Sequence, residues 1–385
     1  MRRRVVNRMY ITERIISIAI YLLLSLFVIV GIAKSGRDYK KIKRWMIFYV
    51  ISLCILSYFY IPAETSDLTR LRELVNTTYS NMSFDKYLQM LGETSTYTTH
   101  TYYYIVARIG VTELISVLSC FINYSIICYV LYDYGKRNNI RGSSIAKALL
   151  LYVSIGGYLE VVSGFRSMCA FSLLFLCIYR EFFQGKRVST NLLLYFISIG
   201  FHNAVVPLVF FRFVFLLFQK EEHLVRRIFN YVVVIVLAII MVRFGSTIIE
   251  ATTTKAQTYL DNEIFSYFWT YLSSAITVLM EIYFLFVNRK IINNKVQKSY
   301  TIFFILFAIL DLVSISLDYS IFRRYSRVLV MLSLPLVMES FDANLASGNR
   351  YVIKKQNLIY YILLFSVLFI EVVRGDLCGL KFFIM

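Results

Sequence analysis

An arginine two residues past a glycine and a histidine directly after a phenylalanine mark the two ends of one stretch, Val161 to His202: VVSGFRSMCAFSLLFLCIYREFFQGKRVSTNLLLYFISIGFH. Arg166, in the turn Gly164-Phe165-Arg166-Ser167, carries a planar fork that pairs bidentately with phosphate oxygens and stays charged at any depth. His202 has an ordinary pKa near neutrality, so it could act as a general base or donate a hydrogen bond to a sugar or phosphate. A purely structural histidine at a helix break is the competing reading. Between the two residues lie two apolar runs joined by the basic turn EFFQGKR. In a membrane they read as a helical hairpin that returns Arg166 and His202 to one face.

Other polar groups collect on that face. Glu64, Asp67, Arg70 and Arg72 follow the second apolar run, and Arg108 and Glu113 lie near the third. Glu160 stands one helical turn before Gly164, Asn203 follows His202, and Arg243, Asp318, Arg323, Arg324 and Arg327 come later. Ionisable residues in or beside membrane segments are costly and usually face the bundle interior or a water-filled path. Several arginines on one side suit a lipid-linked diphosphate better than a neutral sugar. For Arg323, Arg324 and Arg327 the alternative is snorkelling to phospholipid headgroups. Asp67 could activate an acceptor hydroxyl, orient an arginine, or be a solvated loop acid. Glu160 is expected to pair with an arginine rather than act as the base. Asp311 and Asp318, two turns apart on one helical face, could form a proton or cation path in a transporter. There is no GxGxxG, P-loop, HExxH or DxD, so no nucleotide fold, metal site or cofactor is indicated.

The elements that must position these groups are membrane helices. Of 385 residues, 58% are hydrophobic and only 17% charged, against about 25% charged in ordinary soluble domains. Apolar runs long enough to span a bilayer recur from end to end. With three prolines in the chain, most helices should be unbroken. The first run, Ile11 to Ile32, is too long for a signal peptide's apolar core and reads as a retained helix. The six cysteines show no CxxC spacing and read as small buried hydrophobes.

The net charge of +18 lies mostly in short connections. Those beginning at 34, 134, 180, 219, 289 and 341 each carry at least three Lys or Arg, and all fall on one side of a consistent topology. That is the positive-inside pattern, which accounts for the charge without a nucleic-acid partner. The basic amino-terminal tail falls on the opposite side, so either the first run does not span fully or the dense 34–44 connection overrides the tail. The expected fold is one all-α, polytopic transmembrane domain over residues 1–385, a bundle of about twelve segments including short or broken ones. Its outer loops are expected at about 62–100 and 245–264, with a short amphipathic helix at LTRLRELV. Keeping the basic connections on one side requires a break near His202, Asn203 and Pro207, and such breaks at depth often mark sites.

Four blocks carry a resemblance: FYIPAETSDLTRLRELV (59–75), GFRSMCAFSLLFLCIYREFFQGKR (164–187), SIGFHNAVVPLVFFRF (198–213) and RRYSRVLVMLSLPLV (323–337). In length and order the chain resembles the EpsG family of polysaccharide polymerases, relatives of the Wzy O-antigen polymerases. The family's central block usually reads Gly-Ile-Arg-Gln, and a Phe-His element follows. Gly164, Arg166 and His202 match it, with Phe165 and Ser167 where Ile and Gln are common, and Asp67 matches the aspartate of an early Gly-x-Asp element. The resemblance implies a polymerase that joins repeat units carried on undecaprenyl diphosphate at the outer face of the bacterial cytoplasmic membrane. The reading of the residues fits it independently: Arg166, Arg323, Arg324 and Arg327 would hold the diphosphate, with a carboxylate such as Asp67, or His202, taking the acceptor's proton. Glu160, Asn203, Arg70, Arg243 and Asp318 would support them. Stabilising the leaving group with arginines could make a metal unnecessary. A flippase and a chain-length regulator are the protein partners this implies. The competing functions are a flippase or transporter of lipid-linked glycan, which needs no base, and a non-catalytic membrane subunit of an export system.

Overall fold

The computed structural model describes residues 2–64, 66–155, 157–218, 295–314, 319–373 and 381–382, with isolated helical positions between 228 and 279. In hydrocarbon a segment must satisfy its backbone N–H and C=O groups internally, so the apolar runs become helices. The chain opens with α1 (Arg2–Lys34) and α2 (Tyr39–Tyr58). Asp38 caps α2, its carboxylate accepting the amides of Lys40 and Lys41 at 3.1 Å. Three shorter helices follow: α3 (Asp67–Leu74), α4 (Phe84–Glu93) and α5 (Tyr97–Ile109). The bundle continues with α6 (Leu114–Arg137), α7 (Gly142–Ile155), α8 (Tyr158–Ser163), α9 (Phe165–Phe183), α10 (Leu192–Phe201) and α11 (Val206–Phe218). It ends with α12 (Lys295–Ser314), α13 (Tyr319–Ala346) and α14 (Arg350–Val373).

Helix α6 packs against α2 and α9, and α7 packs against α1, α13 and α14. Tyr124, Leu149, Phe171 and Leu329, from α6, α7, α9 and α13, are buried at the centre. A polar thread crosses it: Tyr152 donates to Asn123 Oδ1 at 2.6 Å, and Asn123 Nδ2 donates to Ser172 Oγ at 2.8 Å. This joins α7, α6 and α9 with hydrogen bonds that need no water. On the outside, Leu23, Phe27, Ile51 and Phe365 stand exposed, the surface a bilayer would cover.

Most of the apolar runs fall on described helices, while the runs at 228–244 and 265–288 lie largely outside the described residues. Among the described residues four helices are long and apolar enough to cross a membrane: Ile15–Lys34, Leu114–Arg137, Phe322–Ala346 and Arg350–Phe369. The others are shorter or less apolar. The break near His202 is present, with a 3-10 turn, Asn203–Val205, separating α10 from α11. Pro207 sits in the first turn of α11, where its missing N–H costs nothing.

Two stretches take a form that hydropathy alone did not specify. The apolar run at 146–163 is divided at Gly157 into α7 and α8. The outer segment at 62–100 is largely helical, and α5 carries the chain on to Ile109. The physical reason is tertiary support. Helices α3 and α4 have side-chain caps, Ser66 accepting the Thr69 amide at 3.2 Å and Ser83 the Lys86 amide at 3.5 Å, and α5 gains a packing surface on α10. The amphipathic helix anticipated at LTRLRELV is α3.

Candidate functional site

Helices α9 and α10 run antiparallel. Ser198 Oγ donates to the Ala170 carbonyl at 2.7 Å, and nearer the turn Asn191 Nδ2 donates to the Cys177 carbonyl at 3.4 Å. At the open end the rings of Phe165 and Phe201 meet edge to face, 5.6 Å apart. Arg166 and His202 each follow one of these rings, so the hairpin brings them to the same end. The glycine before Phe165 has a steric reason, because a Cβ at Gly164 would lie 2.6 Å from the Glu160 carbonyl oxygen.

Helix α5 closes over this end. Tyr102 and Tyr103 place their rings 5.3 and 5.9 Å from Phe165. Thr99 Oγ1 donates to the Phe201 carbonyl at 2.9 Å, Tyr97 donates to the Phe196 carbonyl, and Asn203 Nδ2 donates to Ser95 Oγ at 2.8 Å. Gly200 permits the close approach, because a Cβ there would stand 2.3 Å from Thr98 Oγ1 and 2.4 Å from the Tyr97 ring. Helix propensity alone favours alanine over glycine by about 0.5–1 kcal/mol, but overpacking costs about 1–3 kcal/mol. The clash wins. Gly200→Ala is therefore expected to lower thermal stability in detergent, and an equal or higher melting temperature would contradict the packing.

Glu160, at the start of α8, accepts from both Arg323 and Arg327 of α13. The two arginines are four residues apart and share a helical face. Glu160 thus pairs with arginine as expected, and the trio keeps a formal charge of +1. Side-chain exposures of 23%, 28% and 14% for Glu160, Arg323 and Arg327 leave the trio reachable. Arg324 lies half-buried on the same turn of α13. Beyond Gly164, Arg166 is exposed and makes no ion pair or hydrogen bond with a described residue. An apolar cavity of about 210 Å³ is lined by Tyr21, Leu26, Leu150, Tyr158 and Leu368, and by Glu160.

The remaining expected residues are placed as follows. Asp67 pairs with Arg70, both largely exposed, an arrangement worth about 0–1 kcal/mol. His202 Nδ1 accepts the Ala204 amide at 3.0 Å and so caps the 3-10 turn. Asp311 is buried between α12 and α13, where Ser326 Oγ donates to its Oδ2 at 2.9 Å. Arg243, Asp318 and the 245–264 loop lie outside the described residues.

Two groupings escaped the sequence reading. His100 of α5 hydrogen-bonds through Nδ1 with the Tyr79 hydroxyl, and its ring centre lies 6.3 Å from that of Tyr103. Burial first, and then the charge of Arg166, hold its imidazole below the usual histidine range. The available signal was spacing: His100 and Tyr103 are three apart, on one face of a helix. The second grouping lies at the other end of the hairpin. There Glu181 Oε2 accepts from Arg212 at 2.9 Å, each side chain 3% exposed.

A helical bundle whose outer faces are apolar defines an integral membrane protein. A model of the EpsG family matches residues 99–378, most of the chain, and the protein belongs to that family. Membership carries a membrane function of polysaccharide-polymerase type. No curated protein and no solved structure matches the chain.

Proposed function

We propose that the protein joins oligosaccharide repeat units, each carried on undecaprenyl diphosphate, into a longer glycan at the outer face of the bacterial cytoplasmic membrane. The observation that carries this is that Glu160, which holds Arg323 and Arg327, also lines an apolar cavity, with Arg166 exposed past the next turn. A lipid diphosphate has the matching halves, a hydrocarbon chain for the cavity and two phosphates for the guanidinium groups.

Glycosyl transfer breaks the bond between the anomeric carbon and the diphosphate oxygen, which leaves with the electron pair. The acceptor hydroxyl oxygen bonds to that carbon and loses its proton. Positive groups already in place at the leaving oxygen lower the barrier because charge develops there. Arg166 and the α13 arginines Arg323, Arg324 and Arg327 fill this role. The proton requires a base at the same end, where His100, His202 and Asp67 all lie. In the cell a flippase would supply the units and a chain-length regulator would act on the product, while the joining step itself needs neither.

The test is reconstitution in liposomes with lipid-linked repeat units as the only substrate, with glycan length read on a gel. A ladder of longer products is expected. Units that cross the bilayer without joining would make the protein a transporter, and a well-folded preparation that does neither would refute the catalytic function.

A further inference from the structure

We propose that the cap formed by α3, α4 and α5 builds the acceptor-sugar site, and that His100 removes the proton from the attacking hydroxyl. The basis is the polymerase function proposed above.

The geometry separates His100 from the other two bases. Asp67 is engaged by Arg70 at the exposed start of α3, and His202 Nδ1 is committed to the Ala204 amide. His100 is held from one side only through Nδ1. Its partner Tyr79 can donate its own proton to Met90 Sδ, 3.7 Å away, which leaves the phenol oxygen to accept from Nδ1–H. That tautomer puts the lone pair on Nε2. After Nε2 takes a proton, the Nδ1–H bond to Tyr79 persists and stabilises the imidazolium, the orienting arrangement general bases use.

A second observation points to a ligand here. Tyr103 is 1% exposed and its hydroxyl has no hydrogen-bond partner among the described residues. Buried hydroxyls are almost always satisfied. This one lies in the field of Arg166, Tyr79 and Asp67, beside His100. A sugar presents both donors and acceptors, and a small shift of α5 would let one of its hydroxyls complete the Tyr103 bond while another meets Nε2.

The same placement couples the base to the donor. The groups against His100 are Tyr79, Tyr103 on its own helix and Arg166 from α9; Tyr87 of α4 and Asp67 of α3 act one step further out, on Tyr79 and Tyr103 respectively. Arg166 is the cation that opposes its protonation. A diphosphate bound at Arg166 cancels that charge and makes His100 a stronger base once the donor is in place. In the step itself the acceptor O–H proton passes to Nε2, the acceptor oxygen bonds to the anomeric carbon, and the diphosphate leaves with the bonding pair.

The experiment compares wild type, His100→Gln and Tyr79→Phe in liposomes, measuring chain extension across pH and binding of farnesyl diphosphate. His100→Gln is expected to slow extension about 10²–10⁴-fold with farnesyl diphosphate binding unchanged, and to abolish the fall in rate that wild type shows toward acid pH. Tyr79→Phe, a change in a positioning residue, is expected to slow extension and displace that acid limb while the protein folds normally. If wild type extends glycan and His100→Gln does so within tenfold with the same acid limb, the inference is overturned while polymerase function stands. If His100→Gln does not fold, an unchanged rate and limb in Tyr79→Phe overturns it. If wild type makes no polymer, the polymerase function fails and this inference falls with it.

Discussion

Arg166→Ala is expected to eliminate detectable chain extension while the protein inserts and melts as wild type does. Both halves follow from its surroundings. Arg166 is exposed and holds no described residue by ion pair or hydrogen bond, so truncation leaves no buried partner unsatisfied. Loss of a single group that stabilises developing negative charge typically costs about 10²–10³-fold in rate, and Arg166→Ala also removes a diphosphate ligand. Arg166→Lys keeps the charge but loses the fork, so an intermediate rate is expected. A further consequence has a definite sign. Arg166 helps hold the His100 imidazole below its usual range, so removing the cation should move the His100 pKa upward. Histidine-labelled NMR of Arg166→Ala reads that shift. Long polymer made at a normal rate by Arg166→Ala would remove Arg166 from the catalytic centre.

The largest expected effect on stability lies at the opposite end of the same hairpin. Glu181 and Arg166 are fifteen residues apart in α9, about 22 Å at 1.5 Å per residue. Glu181 accepts from Arg212 and Tyr195 at 2.9 Å and from Asn191 at 3.1 Å, so one carboxylate gathers α9, α10, α11 and the turn between them. The Arg212 guanidinium also lies over the Phe182 ring, 4.4 Å from its centre. Removing one partner of a buried pair leaves an uncompensated charge and costs about 3–5 kcal/mol. Glu181→Ala is expected to show that loss as a lower unfolding temperature in detergent. The double change Glu181→Leu with Arg212→Met removes both charges and should recover most of it, because the isolated guanidinium is the cost. A Glu181→Ala protein as stable as wild type would show that the pair contributes nothing.

Parts of the site were legible in the residue order and parts were not. Arg166 and His202 could be brought together because both lie on one hairpin with a short turn, a local relation. Glu160 could be assigned an arginine partner, but Arg323 and Arg327 stand more than 160 residues away, and nothing along the chain selects them over Arg70, Arg72 or Arg108. His100 was overlooked for a different reason. It sits at the polar start of α5, just before YYYIVARI, and its partner Tyr79 meets it only when the cap folds.

The sequence by itself determined that this is a helical membrane protein and where most of its described helices lie. Hydropathy and positive charge act segment by segment, and lipid leaves the backbone few alternatives to a helix. Only the tertiary structure decided how the helices turn about their axes, how the cap folds over the hairpin, and which side chains meet. In a bundle whose lipid faces and core faces are both apolar, hydrophobic periodicity carries little information about rotation. The partners of Glu160, His100 and Glu181 are set by that rotation.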